Sequence, residues 1–265
     1  MTDAIDSRSK VGLQGYIASH RAQKNILLMT HIVLGYPTLQ ASLQVVDAMV
    51  DAGVELIELQ IPFSDPMADG PVILHANQRA LAAGVTVEDC FQAAKTLARR
   101  HPQVRLLLMT YYNIVHCRGP RRFARDANEA GLYGTIVPDL PHEEGQEFYS
   151  ALAENELEPV FLFSPSTGDE RMAQIATQAS GFIYCVARKG VTGARTDFQS
   201  LEPYLARCRK ATSLPLALGF GVKDRSDVLG LVGKVDIAVV GSSTISLIDR
   251  EGVSAVGAYI RSLRD

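Results

Sequence analysis

The sequence predicts an α/β fold of the (β/α)8 barrel type. Three observations carry that prediction. Short β-branched apolar runs alternate with longer stretches of helical period along the whole chain. The apolar runs number eight. They are near-continuously hydrophobic rather than alternating, which means burial on both faces and hence a parallel sheet covered by helices. Eight strand–helix repeats in about 250 residues is the arithmetic of a TIM barrel.

In order, Val11–Ala22 reads as an extra helix with a polar face ahead of the first strand, Ile26–Gly35. Leu39–Ala52 follows, with Leu43, Val46, Met49 and Val50 on one stripe. The second strand is Leu56–Pro62. The gap from Phe63 to His101 is the longest between strands. It holds a Pro- and Gly-rich loop and then helical sequence, with Cys90, Phe91, Ala94 and Leu97 on one face of Val87–Arg100. An insertion of this kind inside one domain reads as a functional excursion. The third to eighth strands are Arg105–Tyr111, Gly134–Leu140, Glu158–Ser164, Gly181–Ala187, Leu214–Phe220 and Val235–Ser242. Helical patterns between them cover Arg121–Ala130, Glu144–Asn155, Glu170–Ala179, Leu201–Lys210 and Arg225–Gly233, and one more follows Ser243. No linker interrupts the rhythm, so residues 1–265 read as a single domain with residues 1–10 flexible. The competing fold, an open doubly wound sheet, would carry GxGxxG after its first strand, and that fingerprint is missing.

Composition excludes several functions. The net charge is −3, which fits neither a strongly basic nucleic-acid binder nor an acidic disordered chain. No apolar run reaches the roughly 20 residues of a membrane span, and the opening MTDAIDSRSK is too polar for a secretory signal. A chain this long buries roughly 70–75% of its unfolded surface and needs no disulfide staples. Cys90, Cys117, Cys185 and Cys208 form no CxxC pair, and the six histidines show no metal-site spacing. No metal is expected, and a reducing, cytoplasmic setting is. Cys185 reads as a small buried thiol. The basic run Arg118–Arg125 reads as a solvated helix face, with a partner-docking surface as the alternative.

In a barrel of this type the active site lies at the C-terminal ends of the strands. Glu58 sits inside the apolar second strand, and a lone carboxyl there is costly to bury as an anion. Burial of such a group favours a raised pKa, suited to moving protons near neutral pH. The alternative is a glutamate paired with a cation, yet no Lys or Arg sits at the mouths of strands one to five. The loop Ser64–Pro71 adds Asp65 and Asp69 between prolines. Taken alone, Asp69 reads as a turn former or helix cap. Gly193, Gly221, Gly241 and Ser242 follow strands six to eight, where backbone N–H groups and a helix N-terminus suit a phosphate. Three ordinary tight turns are the alternative reading. An anion held by backbone donors needs no basic cluster, which is consistent with the acidic net charge.

The stretch from Glu58 to Pro71, ELQIPFSDPMADGP, resembles the signature of the tryptophan synthase alpha chain family. The similarity continues through Asn77–Thr86, Met109–Asn113, Pro138–Pro141, Arg188–Ala194, Gly219–Gly221 and Gly241–Ser242, in the family's order from about residue 26 to 250. The resemblance implies a TIM barrel that cleaves indole-3-glycerol phosphate to indole and glyceraldehyde 3-phosphate by a retro-aldol reaction. It implies Glu58 as general acid/base and Asp69 as acceptor of the indole N–H. It implies Gly193, Gly221, Gly241 and Ser242 as the phosphate cradle. Ile73, Met109, Tyr184, Thr192 and Phe220 fall at substrate-contact positions, and Arg188, Lys189 and Gly190 in a mobile lid. It further implies no cofactor in this chain, and a beta-chain partner, in an alpha2beta2 heterotetramer, that carries pyridoxal phosphate and consumes the indole. A non-catalytic alpha-like subunit and a stand-alone indole-releasing lyase are the alternatives. The presence of both Glu58 and Asp69 argues against the first.

Two positions depart from the family pattern. Gln60 stands where the family has glycine, and His31 stands where it has an aromatic residue on strand one. Strand parity puts Gln60 on the side of Glu58, and strands one and two are neighbours. His31 and Gln60 are therefore expected to reach Glu58's side of the substrate pocket together, with compensated core packing as the alternative.

Overall fold

A computed structural model describes residues 11–186, 201–219 and 221–264. Its eight strands are β1 (Leu27–Val33), β2 (Leu56–Gln60), β3 (Arg105–Met109), β4 (Gly134–Ile136), β5 (Glu158–Phe163), β6 (Ile183–Val186), β7 (Leu216–Gly219) and β8 (Ile237–Val240). They close in sequence order, and every pair is parallel. The α/β barrel expected from the sequence is what forms.

The helices among the described residues are α1 (Leu13–Arg21), α2 (Leu39–Asp51), α3 (Pro71–Ala82), α4 (Val87–Arg100), α5 (Tyr112–Arg118), α6 (Pro120–Glu129), α7 (Gln146–Glu154), α8 (Asp169–Gln178), α9 (Glu202–Ala211), α10 (Arg225–Leu231), α11 (Ser242–Glu251) and α12 (Val256–Ser262). Their starts are chemically marked. Thr38 caps α2 by accepting from the Ala41 N–H, and reciprocal capping boxes open α4 (Thr86 with Asp89) and α10 (Asp224 with Asp227). The insertion after β2 holds two helices, α3 and α4.

Two apolar layers hold the barrel. The inner layer stacks Met29, Leu56, Leu107, Ile136, Val160, Phe182, Ala217 and Ile237. Leu13 and Ile17 of α1 plug its N-terminal end, so the barrel is a packed core rather than a pore. The outer layer packs the helices on the strands; there Phe123 meets Phe91 and Phe148 edge-on, with ring centroids 5.4 and 5.8 Å apart. With the N-terminal end plugged by apolar side chains, open space for a ligand is left at the other end.

Arg118 departs from the solvated-face reading of the basic run. It turns inward, pairs with Asp126 and Glu88, and lies 4.6 Å over the Phe91 ring. Arg121, Arg122 and Arg125 are exposed as expected. Cys185 is buried, also as expected, and the four cysteines are free thiols.

Candidate active site

The strand register fixes the first relationship in the site. His31 of β1 and Glu58 of β2 are direct partners across the ladder. Both point into the barrel at its C-terminal mouth, and both are buried. His31 Nδ1 lies 3.4 Å from Glu58 Oε2. Burial pulls the His31 imidazole down. Glu58 and Asp69 raise it, as does the neighbouring Gln60 side chain, and the net effect lies above the ordinary histidine value.

Gln60, two residues beyond Glu58 on the same face, serves a different neighbour. Its Nε2 donates to Asp69 Oδ2 at 2.7 Å. The Tyr111 hydroxyl donates to the same oxygen at 3.0 Å and accepts the Ala68 N–H at 3.1 Å. Phe63 stacks on Tyr111, with centroids 5.1 Å apart. The loop is fixed from its far side by Asn77 of α3, fully buried. Its Oδ1 accepts the Phe63 N–H, and its Nδ2 donates to the Ile73 carbonyl, each at 2.8 Å. These bonds turn a Pro- and Gly-rich loop into a rigid arm that holds Asp69 over the barrel mouth. Burial pushes the Asp69 carboxyl above the usual carboxylate range. His31, Gln60 and Tyr111 oppose that shift without cancelling it.

A cavity of about 160 Å³ opens in front of these groups. His31, Glu58, Asp69, Ile73, Met109 and Tyr184 line it on one side, and Gly219, Gly221, Gly241 and Ser242 on the other. Ile136, Leu162, Val186, Val222 and Val239 give it apolar walls. The combination, an apolar slot with a few convergent polar groups, suits a flat ring carrying one polar edge. Burial, together with Glu58 and Asp69, raises the Tyr184 hydroxyl well above its ordinary value, so it stays a neutral hydrogen-bonding group. The Gly221 backbone is left-handed, with φ of +82°, a conformation glycine adopts without strain. Gly241 caps α11, whose first residue is Ser242, so unpaired N–H groups of a helix start face the cavity.

Most of the residues singled out from the sequence thus converge. Gln60 does not line the cavity. It lies behind the wall, fully buried, because its amide is drawn to Asp69. What the structure shows for it is a bond to the loop carboxylate. Thr192, Gly193 and Phe220, and the proposed lid residues Arg188, Lys189 and Gly190, lie outside the described residues, as does the segment 1–10. Tyr111 and Asn77 were missed as site residues. Both sit in stretches that carry the family resemblance, but their roles depend on how the loop folds. Among the described residues no cluster of His, Cys, Asp and Glu is arranged to hold a metal ion, and no helix is long and apolar enough to cross a membrane.

A family model described as tryptophan synthase alpha chain matches residues 17–261. The chain belongs to the tryptophan synthase alpha chain family. It is 55% identical over 253 residues to the tryptophan synthase alpha chain of Syntrophotalea carbinolica, covering 95% of this chain and all of that one. It is 54% identical over 252 residues to that of Desulforapulum autotrophicum, covering 95% and 99%. Among solved structures, a Mycobacterium tuberculosis tryptophan synthase superposes with a TM-score of 0.88 at 34% identity, covering 95% and 96% of the two chains. The tryptophan synthase alpha subunit of Legionella pneumophila gives 0.88 at 30% identity with the same coverage. Family membership makes this chain a lyase of tryptophan biosynthesis. Glu58 and Asp69 of this chain line one cavity.

Proposed function

We propose that this chain cleaves indole-3-glycerol phosphate to indole and glyceraldehyde 3-phosphate. The observation that carries the proposal is that Glu58 and Asp69, two carboxylates in different environments, line the same slot opposite the glycine turns. In the proposed reaction the indole ring lies in the apolar slot, with its N–H toward Asp69. The phosphate lies at Gly221, Gly241 and Ser242, against the start of α11, with Gly193 of the same proposed cradle and Thr192 and Phe220 as further contacts. Ile73, Met109 and Tyr184 bound the ring.

Glu58 protonates the ring at C3 while Asp69 takes the N–H proton. Glu58 then removes the proton of the glycerol hydroxyl, the C3 side-chain bond breaks, an aldehyde forms, and the nitrogen recovers its proton from Asp69. Two carboxyl groups with separated roles meet the demands of this sequence. Each proton transfer by a positioned group contributes roughly 10²–10⁴-fold. Closure of a lid at Arg188, Lys189 and Gly190 would exclude water.

The wider reading is a cytoplasmic chain with no cofactor of its own. It works in an alpha2beta2 heterotetramer whose beta chain carries pyridoxal phosphate and consumes indole. Single-domain organisation over residues 1–265 belongs to the same proposal. The test is indole release from indole-3-glycerol phosphate, with and without a beta chain. Release in either condition, abolished in a folded Glu58→Gln variant, is the expected result. No release in either condition, or full activity in that variant, overturns the assignment.

A further inference from the structure

Three buried polar atoms from three adjacent residues lack hydrogen-bond partners: His31 Nε2, Glu58 Oε2 and Gln60 Oε1. Unpaired polar atoms are costly to bury, so a cluster of them calls for a physical reason. Two of the three are acceptors, and both belong to groups that act on the His31 ring. A neutral imidazole has one N–H donor and one acceptor; only the imidazolium donates from both nitrogens. The arrangement therefore suits a doubly protonated ring, with Glu58 Oε2 3.4 Å from Nδ1 and the Gln60 side chain also acting on the ring. Gln60 cannot turn its amide nitrogen toward the ring without releasing Asp69. That bond fixes which end of the carboxamide His31 meets.

We propose that His31 is the proton partner of Glu58, held in that role by Gln60. This rests on the carboxylate chemistry proposed above and adds a second proton-bearing site to it. The protons balance over one turnover. The pair begins as imidazolium and carboxylate, with one proton between them. That proton passes from His31 Nδ1 to Glu58 and on to the ring carbon. The proton taken from the glycerol hydroxyl by Glu58 then passes back to His31 as the carbon–carbon bond breaks. The 3.4 Å separation is long for a transfer, but catalytic hydrogen bonds in unliganded sites are commonly long and tighten with substrate. His31 acts through Glu58 and is in this sense a positioning residue.

The titratable groups facing His31 are Glu58 from β2, Asp69 from the loop after β2, and Tyr184 from β6. Both carboxylates favour the imidazolium, while Tyr184 stays neutral. A proton held by the ring is lost as pH rises through a midpoint above the ordinary histidine value. Turnover that needs the imidazolium then falls on the alkaline side.

The experiment has two arms. In the first, kcat is followed against pH for the wild type, His31→Asn and His31→Phe, with folding checked by circular dichroism. The wild type is expected to lose activity on an alkaline limb. Both variants are expected to lose that limb and about tenfold or more in kcat, with KM little changed. An unchanged rate and profile in His31→Asn overturns the proposal, because asparagine keeps polarity but cannot carry the proton. In the second arm, NMR follows titration of the His31 ring in the wild type and in Glu58→Gln without any turnover. A midpoint above the ordinary histidine value that falls in Glu58→Gln supports the pair. A midpoint at or below that value, or one unmoved by Glu58→Gln, overturns it. If the wild type releases no indole, the reaction assignment has failed while the NMR arm still decides on the pair.

Discussion

Gln60 Nε2 lies 2.7 Å from Asp69 Oδ2, a bond that ties the end of β2 to the loop that follows it. Nine residues separate the two in sequence. The loop carboxylate is thus positioned by the same strand that carries Glu58, which links the placement of both carboxylates. Tyr111 supplies the second anchor on the same oxygen.

Removing either anchor has a defined cost. Hydrogen bonds to charged groups are worth about 1.5–3 kcal/mol, so Gln60→Ala is expected to lower kcat/KM roughly 10- to 150-fold. Tyr111→Phe removes one bond to Asp69 and also the acceptor of the Ala68 N–H, while keeping the stack on Phe63. It is expected to raise KM as well, because the loop itself loosens. Steady-state kinetics on both variants check this. Wild-type kinetics in Gln60→Ala would show that Asp69 needs no help from β2.

How much of this was readable in the sequence differs between fold and site. The eight strands were readable because each is a near-continuous apolar run with turn residues at its ends. Helix α3 was not. It buries only Ala76, Asn77 and Ala80, so its inner face carries small and polar side chains and shows no apolar stripe. Helix α5 buries only Val115. Glu58 was legible because a charged residue inside an apolar run is conspicuous. The Gln60–Asp69 bond was not, because parity gives the face of Gln60 but nothing in the sequence gives the path of the loop. The same limit hid Tyr111. The His31–Glu58 contact was anticipated from strand adjacency and is set by their register.

The glycines of the cavity wall make a graded prediction. A Cβ added at Gly219 would collide with the Tyr184 ring. A Cβ at Gly241 would lie 3.3 Å from His31 Cβ, a tight contact that a small shift relieves. Gly219→Ala is therefore expected to displace Tyr184 into the slot and to raise KM severalfold or more. Gly241→Ala is expected to do less to binding. Overpacking of this kind typically costs about 1–3 kcal/mol. Equal effects in the two variants would sink the steric reading.

The opposite end of the barrel offers a control far from the chemistry. Glu55, just before β2, is buried and pairs with Lys24 and Arg264 while accepting the Leu28 N–H at 2.9 Å. It holds the segment before β1 and the chain beyond α12 against the barrel floor. Breaking a buried pair from one side costs about 3–5 kcal/mol. Lys24 and Arg264 are partly exposed and regain water, so Glu55→Ala is expected to cost nearer about 2–3 kcal/mol. Urea unfolding measures this. The kcat of the folded variant should match the wild type, and a large drop would mean that the two ends of the barrel are coupled.

Asp69 carries a stability consequence whose sign follows from its surroundings. Its folded pKa is raised, first by burial, with His31, Gln60 and Tyr111 only partly offsetting. A raised folded pKa means that the native state holds the proton more tightly than the unfolded chain does. The favourable contribution is then complete below the unfolded value and is lost as pH rises through the folded one. Whenever it is ionised, the carboxyl is thus a net cost to folding. Asp69→Asn keeps acceptors for Gln60 and Tyr111 and removes the charge. It is expected to raise the urea midpoint at pH 8, with the gain shrinking as pH falls toward 4. It should also abolish indole release, since an amide cannot take the ring N–H proton. An Asp69→Asn variant less stable than the wild type at pH 8 would mean that the ionised form is held more strongly than its burial allows. The Gln60 and Tyr111 bonds would then outweigh desolvation rather than merely offset it.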